Sequence, residues 1–445
     1  MEKTGRMITF LFKAVVWGGV VLLTGFLLLT AVYMLPAGRM KSHIAESDEV
    51  FNFEGMYPQL MYGMKSSQLD NYTDSLMYAT AIHPGSGNTL RDAMHNARYE
   101  YTDTNMAQSL NDYANDVSSK ESLRYEIGYA RYWHGYLIIL KPMLLFLNVG
   151  EIRLLNLIIQ ASFLLLLLCM VIKKYGIPYT IPVIMMVLIL NPVVIPLSLQ
   201  FSWVYYIGLL GGIILLGMNQ PPENECYLFL FMTLGMLTSY FDLLTYPLIT
   251  LGLPLVLFLL KCRKLQSVRR IFITIWACMI WFVGYAVMWI GKWVFALLFA
   301  HINLFQEVSY KISERTSMVG ESKEPLTLWI AINRPLSVVL KKPYVFMFVC
   351  YFIGYFIWGI YQRRKNVREH KNDLKGILLY LLPYAFIACI PLAWFCILSN
   401  HTFAHYWFAY RELAVTVLAI GTMVLDLWDD YFIGRYDARE FKTKT

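Results

Sequence analysis

The sequence predicts an all-α polytopic membrane protein of about ten or eleven transmembrane helices, with a long first extracytoplasmic loop that contains juxtamembrane helices. The chain has 445 residues, of which 58% are hydrophobic and only 15% are charged. Its apolar runs are near 20 residues, the length that crosses a hydrocarbon core of about 30 Å. In lipid the backbone must satisfy its own hydrogen bonds, so helices are expected.

The first apolar run is longer than the apolar core of a signal peptide, which spans about 7–15 residues, and it predicts a retained anchor. The predicted crossings are 8–34, 154–172, 178–198, 201–217, 226–245, 246–260, 271–298, 343–361, 377–398 and 405–427.

Charge predicts the orientation of these spans. Basic loops at 261–270 and 363–371, and the basic ends of the chain, should be cytoplasmic by the positive-inside rule. Segment 35–132 carries thirteen acids against eight Lys and Arg, so it should lie outside. We therefore predict a multi-pass protein of the cell membrane with both termini cytoplasmic. The predicted segments are 1–34, 35–150, 151–300, 301–342, 343–430 and 431–445.

The apolar run 132–150 breaks this alternation, because a full crossing would invert every later basic loop. It carries Lys141 and Pro142 at its centre, a charge that is costly in lipid and a residue that disrupts helices. We interpret it as a juxtamembrane helix that dips into the outer leaflet. An ordinary eleventh span is the alternative.

Asp70 and Asp74 form the principal candidate catalytic pair. On a helix they lie one turn apart on the same face. Two neighbouring carboxylates resist double ionisation, which raises one pKa toward values useful for proton transfer. The structural alternative is that Asn71 caps a helix and Asp74 lies near its positive end. Asp48, beside Glu49, is the competing candidate base.

Basic residues in the predicted outer segments and at the outer ends of the predicted spans are candidate ligands for a phosphate. Arg131, His134 and Lys141 lie among aromatic residues, which are also ordinary at a membrane boundary. Near the other end, the sequence SNHTFAHYWFAYRE (399–412) contributes the further candidates His401, His405 and Arg411.

Asp242 interrupts a nearly continuous apolar stretch close to the predicted outer face. An ionisable residue within a membrane is a functional candidate. The structural reading is a polar kink between two helices.

The sequence has no Walker-type loop or glycine-rich dinucleotide turn, so nucleotide-driven work is not predicted, nor is a nucleic-acid partner. It also lacks HExxH and any Cys/His spacing typical of a metal site. The need for a divalent cation is left open.

The order of these features resembles the GT-C superfamily of membrane glycosyltransferases. The shared features are one span, a long acidic outer loop, a juxtamembrane Lys-Pro helix (LKPMLL, with Lys141) and an Arg-Leu element in GEIRLLN (150–156) that opens the next span. Asp70 and Asp74 would correspond to the loop acids of that superfamily. Its Asp-Glu doublet occurs here only at Asp48 and Glu49.

This resemblance implies an inverting hexosyl- or pentosyltransferase. Its donor would be a polyprenyl-phosphate sugar, its acceptor a cell-envelope glycan, polymer or protein, and its working surface the outer face of the bilayer. An aspartate would take the acceptor's proton, and nearby cations would stabilise the leaving phosphate.

Two other function classes remain open at this point. A transporter or flippase of lipid-linked glycans would distribute charges through its spans and show pseudo-symmetric halves, which the sequence does not display. A non-enzymatic scaffold would use the acidic outer loop to bind a partner.

Overall fold

A computed structural model describes residues 2–319, 325–365 and 374–427. In these ranges the regular secondary structure is helical, apart from one short antiparallel pair of strands separated in sequence by a helix, and two isolated bridges. The first apolar helix is α1 (Glu2–Val32). The polar segment that follows contains α2 (Ala37–Ala45), α3 (Asp48–Glu54), α4 (Asn71–Ile82), α5 (Thr89–His95), β1 (Arg98–Tyr101), α6 (Met106–Ala114), β2 (Arg124–Ile127) and α7 (Leu137–Leu144).

The remaining elements are mainly apolar helices. They are α8 (Val149–Tyr175), α9 (Thr180–Leu190), α10 (Val194–Leu197), α11 (Leu199–Gly217), α12 (Cys226–Phe241), α13 (Ile249–Lys261), α14 (Ser267–Ala300), α15 (Phe305–Thr316), α16 (Leu328–Val339), α17 (Lys342–Lys365), α18 (Leu374–Ile397), α19 (Ser399–Ala404), α20 (Tyr406–Ala409) and α21 (Leu413–Leu427).

Six helices in the described residues are long and apolar enough to cross a membrane, and the bent pair α16–α17 would make a seventh. The all-α polytopic prediction is therefore confirmed in outline. The predicted count of ten or eleven exceeds what helix length alone supports. Three of the predicted spans coincide with shorter apolar helices, at Ile177–Leu190, Cys226–Phe241 and Ile249–Lys261. The first of these ends at Asn191, which adopts a left-handed conformation with φ of 65°.

The segment around Lys141 forms only the eight-residue helix α7. At 1.5 Å per residue this helix is about 12 Å long, far short of a hydrocarbon core of about 30 Å. Lys141 is buried, and its Nζ donates to the carbonyl oxygen of Ala81 in α4 at 2.7 Å. The helix α7 therefore packs against the polar segment, and its juxtamembrane position stays a prediction.

Contacts between helix ends define two opposite faces of the bundle. On the polar face, Asp74 of the segment 35–148 binds the amino end of α11. On the basic face, Lys261 at the end of α13 donates to the carbonyl oxygen of Met218 just beyond α11 at 2.6 Å. On that face also, Arg263 pairs with Asp426 near the end of α21.

Two glycines allow α12 and α14 to approach closely. A Cβ atom added to Gly235 would lie 1.9 Å from the carbonyl oxygen of Trp281. One added to Gly284 would lie 2.1 Å from the carbonyl oxygen of Met232. Small residues at such contacts let helix backbones pack directly in a membrane, where hydrophobic burial gives little drive for helix association.

Gly284→Ala should therefore destabilise the protein, because the added methyl group meets a backbone carbonyl that cannot turn aside. Overpacking of this kind costs about 1–3 kcal/mol, which a lower thermal-unfolding midpoint in detergent would report. Gly19→Ala in α1 is the matched control, since nothing lies within 4 Å of its added Cβ. Equal midpoints for the two variants would contradict the α12–α14 packing described here.

Candidate functional site

Asp70 caps the amino end of α4. Its Oδ1 accepts a hydrogen bond from the backbone N–H of Thr73 at 3.1 Å, and its Oδ2 accepts one from the Thr73 hydroxyl at 2.8 Å. The prediction of Asn71 as the cap is wrong by one residue, because Asn71 is the first residue of the helix. The carboxylate of Asp70 is buried. Its capping role explains why an aspartate occurs at this position, but a cap alone does not explain the raised pKa of its carboxyl group.

Asp74 lies one turn further along α4 and binds a different helix. Its two carboxylate oxygens accept the backbone N–H groups of Leu199 and Gln200 at 2.9 and 3.0 Å. These donors are the first two residues of α11, whose amino end would otherwise leave its N–H groups unpaired. Asp74 therefore joins the polar segment to the bundle, a contact that spacing within α4 cannot reveal.

Burial shifts the ionisation of both aspartates toward neutrality. It raises the pKa of Asp70 to about 6, although the hydrogen bonds from Thr73 and the charge of Arg411 act to lower it. Burial likewise raises the pKa of Asp74 to about 7, and the nearby charge of Asp70 adds to the increase. A carboxyl group with a pKa near the working pH is suited to general acid–base chemistry.

Arg411 is fully buried within the electrostatic range of Asp70. Its Nε donates to the carbonyl oxygen of Leu190 at 3.2 Å, and its Nη2 lies 3.4 Å from the carbonyl oxygen of Ser66. The guanidinium carbon lies 4.0 Å from the ring centre of Phe201. Among the described residues, Nη1 of Arg411 has no hydrogen-bond partner. A buried cation thus keeps one donor available beside a buried carboxylate.

The turn that leads to Asp70 is fixed by contacts from distant parts of the chain. The Ser66 carbonyl oxygen accepts from Asn191 Nδ2 at 3.1 Å and from the Tyr410 hydroxyl at 3.3 Å. The backbone N–H of Asp70 donates to the Ser198 hydroxyl at 3.1 Å. Residues from the α9–α11 connection and from the start of α21 therefore position the candidate base.

Asp242 follows the end of α12, as the polar-kink reading predicted. Its carboxylate accepts the backbone N–H of Thr245 at 3.0 and 3.1 Å and the Thr245 hydroxyl at 2.5 Å. Glu412 lies within range of its charge. Glu412 Oε2 accepts the backbone N–H of Leu248 at 3.0 Å, whereas Oε1 has no partner among the described residues. Asp242 thus belongs to a group of buried acids.

His401 and His405 lie close to each other, and His401 contacts the loop that follows Asp242. His401 Nε2 is 3.2 Å from the carbonyl oxygen of Leu244, and the two imidazole rings are 4.9 Å apart. Arg315 of α15 is close enough to act electrostatically on both histidines. Its Nη1 is buried and lacks a hydrogen-bond partner within the described residues. Arg315 is a candidate that the sequence reasoning missed.

The structure gives the other predicted basic residues partners of their own. Arg131 Nη1 binds Glu307 at 2.7 Å. His134 lies between the Tyr136 hydroxyl at 2.8 Å and the Tyr129 carbonyl oxygen at 2.9 Å. The contacts of His134 occupy both of its ring nitrogens, whereas Arg131 Nε has no hydrogen-bond partner among the described residues. A role for Arg131 at a phosphate stays a prediction.

Lys141 is separated from Asp70 by the length of α4. It binds Ala81 near the opposite end of the helix, about 17 Å from Asp70 along its axis. Asp48 is the first residue of α3, and its side chain lies outside the described residues.

An ion-pair network that the sequence reasoning did not include lies behind α4. Arg153 Nη1 donates to Glu54 Oε1 at 2.6 Å, and Arg153 Nη2 donates to Asn71 Oδ1 at 3.1 Å. Asn71 Nδ2 donates to the Gly55 carbonyl oxygen at 2.7 Å. Arg153 belongs to the Arg-Leu element of the sequence, and here it connects α8 to α3 and α4.

Of the two site residues that the sequence reasoning missed, Glu412 and Arg315, one carries a signal that could have been found in the sequence. Glu412 directly follows Arg411 at the entrance to an apolar run, where an acid is as costly as a base. Arg315 gives no such signal, because α15 is polar and contains several charged residues.

No group of three or more His, Cys, Asp or Glu side chains in the described part of the chain is arranged to hold a metal ion. Comparisons of the chain with protein-family models, with curated proteins and with solved structures found no match. The proposed function therefore rests on the geometry of the site.

The two aspartates should differ in their contribution to stability. Asp70→Asn keeps a side chain that caps helices as well as aspartate does, so its thermal-unfolding midpoint should match wild type near neutral pH or exceed it slightly. Asp74→Asn replaces one acceptor oxygen by an amide donor that faces a backbone N–H of α11. Leaving one buried donor unpaired costs about 1–3 kcal/mol, so its midpoint should fall.

The pH dependence provides an internal check. The pKa of Asp70 is raised from 3.8 in the unfolded chain to about 6 in the fold. Its protonated form therefore favours the folded state at low pH, and this contribution is lost as the pH rises toward 6. Asp70→Asn should lack that loss. Parallel pH profiles for wild type and Asp70→Asn would contradict the raised pKa.

Proposed function

We propose that this protein is a membrane glycosyltransferase of the inverting type, which transfers a hexosyl or pentosyl group from a polyprenyl-phosphate donor to a cell-surface glycan, polymer or protein. The polar face of the bundle would be its working surface, outside the membrane. The observation that carries the proposal is the buried carboxylate of Asp70, with its pKa near 6, beside the buried guanidinium of Arg411 with one unpartnered Nη1.

In the proposed reaction, Asp70 accepts the proton of an acceptor hydroxyl while that oxygen attacks the anomeric carbon of the sugar. The bond between the anomeric carbon and the phosphate oxygen breaks, and its electron pair leaves with the polyprenyl phosphate. Each carboxylate oxygen of Asp70 accepts one hydrogen bond from Thr73. An ionised carboxylate oxygen accepts about two, so each oxygen keeps capacity for the acceptor.

Arg411 would stabilise the negative charge that develops on the leaving phosphate. A preorganised cation in a water-poor site is most effective where charge develops in the transition state. Its contacts with Leu190, Ser66 and Phe201 fix the guanidinium without neutralising it, because none of these partners is an acid.

Glu412 and Arg315 each supply a buried polar atom that lacks a partner in the described residues. An acid oxygen and a guanidinium N–H can accept from and donate to the hydroxyl groups of a sugar. Sites that leave such groups unpaired when empty discriminate strongly against ligands that cannot pair with them. We assign these two residues to recognition of the transferred sugar.

A transporter or flippase of lipid-linked glycans is the second candidate function. It is favoured by the two buried acids Asp242 and Glu412, which lie within range of each other at the end of apolar helices. Intramembrane acids are typical of ion-coupled transport. This alternative requires no base at position 70.

Asp70→Asn should abolish glycosyl transfer while it preserves the fold. Loss of a general base costs about 10²–10⁴-fold in rate. The measurement uses purified protein with polyprenyl-phosphate hexose and pentose donors, and mass spectrometry detects the released polyprenyl phosphate. Asp92→Asn is the matched control, because Asp92 belongs to the same polar segment but binds only the exposed Ser86 turn.

The same assay has a pH signature. Asp70 must be ionised to accept a proton, so kcat/KM should rise with pH through about 6 and then level off. If Asp70→Asn keeps at least about a tenth of the wild-type rate, Asp70 is not the base. The transporter function would gain support if, in addition, the variant retained movement of a fluorescent lipid-linked glycan between leaflets.

Arg411→Lys should weaken donor binding although it keeps the positive charge, since lysine lacks the planar fork of donors. Loss of a charge-assisted hydrogen bond costs about 1.5–3 kcal/mol, or about 10–150-fold in the Kd of a polyprenyl-phosphate hexose.

Tyr410→Phe is the control for this variant, because it removes a hydrogen bond to the same Ser66 carbonyl oxygen but leaves the guanidinium intact. Equal losses in donor affinity for the two variants would show that Arg411 acts only through the structure of the turn.

A further inference from the structure

A pocket rich in cations opens on the basic face of the bundle, opposite the candidate catalytic site. It has a volume of about 380 Å³ and lies where the carboxyl ends of α8, α11 and α13 converge. Half of its lining residues are basic, and none of those the structure describes is acidic. This basic pocket is lined by Lys174, Tyr175, Leu215, Leu216, Leu260, Lys261, Arg263 and Lys264.

The four cations differ in how they are held. Lys261 donates to the Met218 carbonyl oxygen, and Arg263 is paired with Asp426 at 2.5 Å. Lys174 and Lys264 are exposed, and within the described residues neither has a hydrogen bond or an ion pair. Two fixed cations at the pocket wall are thus accompanied by two free ones. The wall of the pocket therefore carries a net positive charge.

Ordinary helix electrostatics explains only part of this arrangement. Lysines in the last turn of a helix complement its negative end, which accounts for Lys174 in α8 and Lys261 in α13. Arg263 and Lys264 lie beyond the end of α13. They extend the positive charge around a concave surface of a size typical of ligand pockets, about 300–1,000 Å³.

We propose that the basic pocket binds a phosphate group, and that the phosphate belongs to the headgroup of an anionic membrane lipid. Leu215, Leu216 and Leu260 give the pocket an apolar wall beside its cations, which suits the glycerol that adjoins a lipid headgroup. Basic pockets between membrane helices on the cytoplasmic side are suited to anionic headgroups, and this is the face that charge predicts to be cytoplasmic. The inference is independent of glycosyl transfer at the polar face.

The test removes the two free lysines together, in Lys174→Ala/Lys264→Ala. The matched control, Lys173→Ala/Arg269→Ala, removes the same charge from exposed residues of the same face that do not line the pocket. The full-length proteins are purified in detergent and titrated with phosphatidylglycerol, and bound lipid is counted by native mass spectrometry. A parallel titration uses inorganic pyrophosphate and the thermal-unfolding midpoint.

Phosphatidylglycerol should bind wild type and the control alike. It should bind the pocket variant about thirtyfold more weakly, because each basic side chain near the lipid contributes about a factor of five. Lys174→Arg/Lys264→Arg should bind phosphatidylglycerol as wild type does. That result would show that the alanine variant loses binding through the missing charge and not through misfolding.

Two results would overturn the lipid assignment. If pyrophosphate shifts the midpoint in a pocket-dependent manner and phosphatidylglycerol does not bind, the ligand is a soluble phosphate compound. If both double variants lose equal affinity for phosphatidylglycerol, the interaction is with the basic face as a whole and the pocket has no specific role.

Discussion

The bond between Asp74 and the amino end of α11 is the contact on which the position of the candidate site depends. The first N–H groups of a helix have no partner within the helix, and leaving them unpaired away from water is costly. Asp74 satisfies two of them at once, from a different part of the chain. Because Asp70 begins the same helix as Asp74, fixing α4 against α11 also fixes Asp70. The structural need of one helix end therefore determines where the candidate base lies.

The second constraint is the clustering of donors on the Ser66 carbonyl oxygen. Asn191, Tyr410 and Arg411 all lie within 3.4 Å of it. These donors come from segments far apart in sequence, so the loop that precedes α4 is closed over the bundle by polar contacts. Arg411 uses its Nη2 group for this structural contact. Because the guanidinium is planar, the contacts of Nε and Nη2 also fix the position of Nη1, which has no partner among the described residues.

Sequence patterns predicted the class of fold well and the pairing of residues poorly. Apolar runs predicted the long helices because burial in lipid is a property of local composition. The i, i+4 spacing of Asp70 and Asp74 predicted a shared helix face, but Asp70 lies just before α4 as its cap, and of the two only Asp74 lies within the helix. The partners of Asp74, Arg153 and Ser66 lie more than 80 residues away, and no local pattern encodes them. For the same reason Lys141 was expected at a phosphate site, whereas its partner is the Ala81 carbonyl oxygen.

Glu412 and Asp426 are buried acids at opposite ends of the last described helical stretch. Their contacts distinguish a structural acid from a candidate functional one. Asp426 accepts hydrogen bonds from the Tyr380 and Tyr384 hydroxyls, both at 2.7 Å, and pairs with Arg263. A charge that is satisfied in this way holds helices together, and removing any partner would leave it uncompensated. Glu412 has one bonded oxygen and, within the described residues, one without a partner. An unpaired buried acid lowers stability, so its presence calls for an explanation other than stability. Arg411, which precedes it, and Arg315 carry unpartnered donors as well, so within the described residues the unpaired atoms include both a proton acceptor and proton donors. Such a set is complementary to a ligand with hydroxyl and phosphate groups.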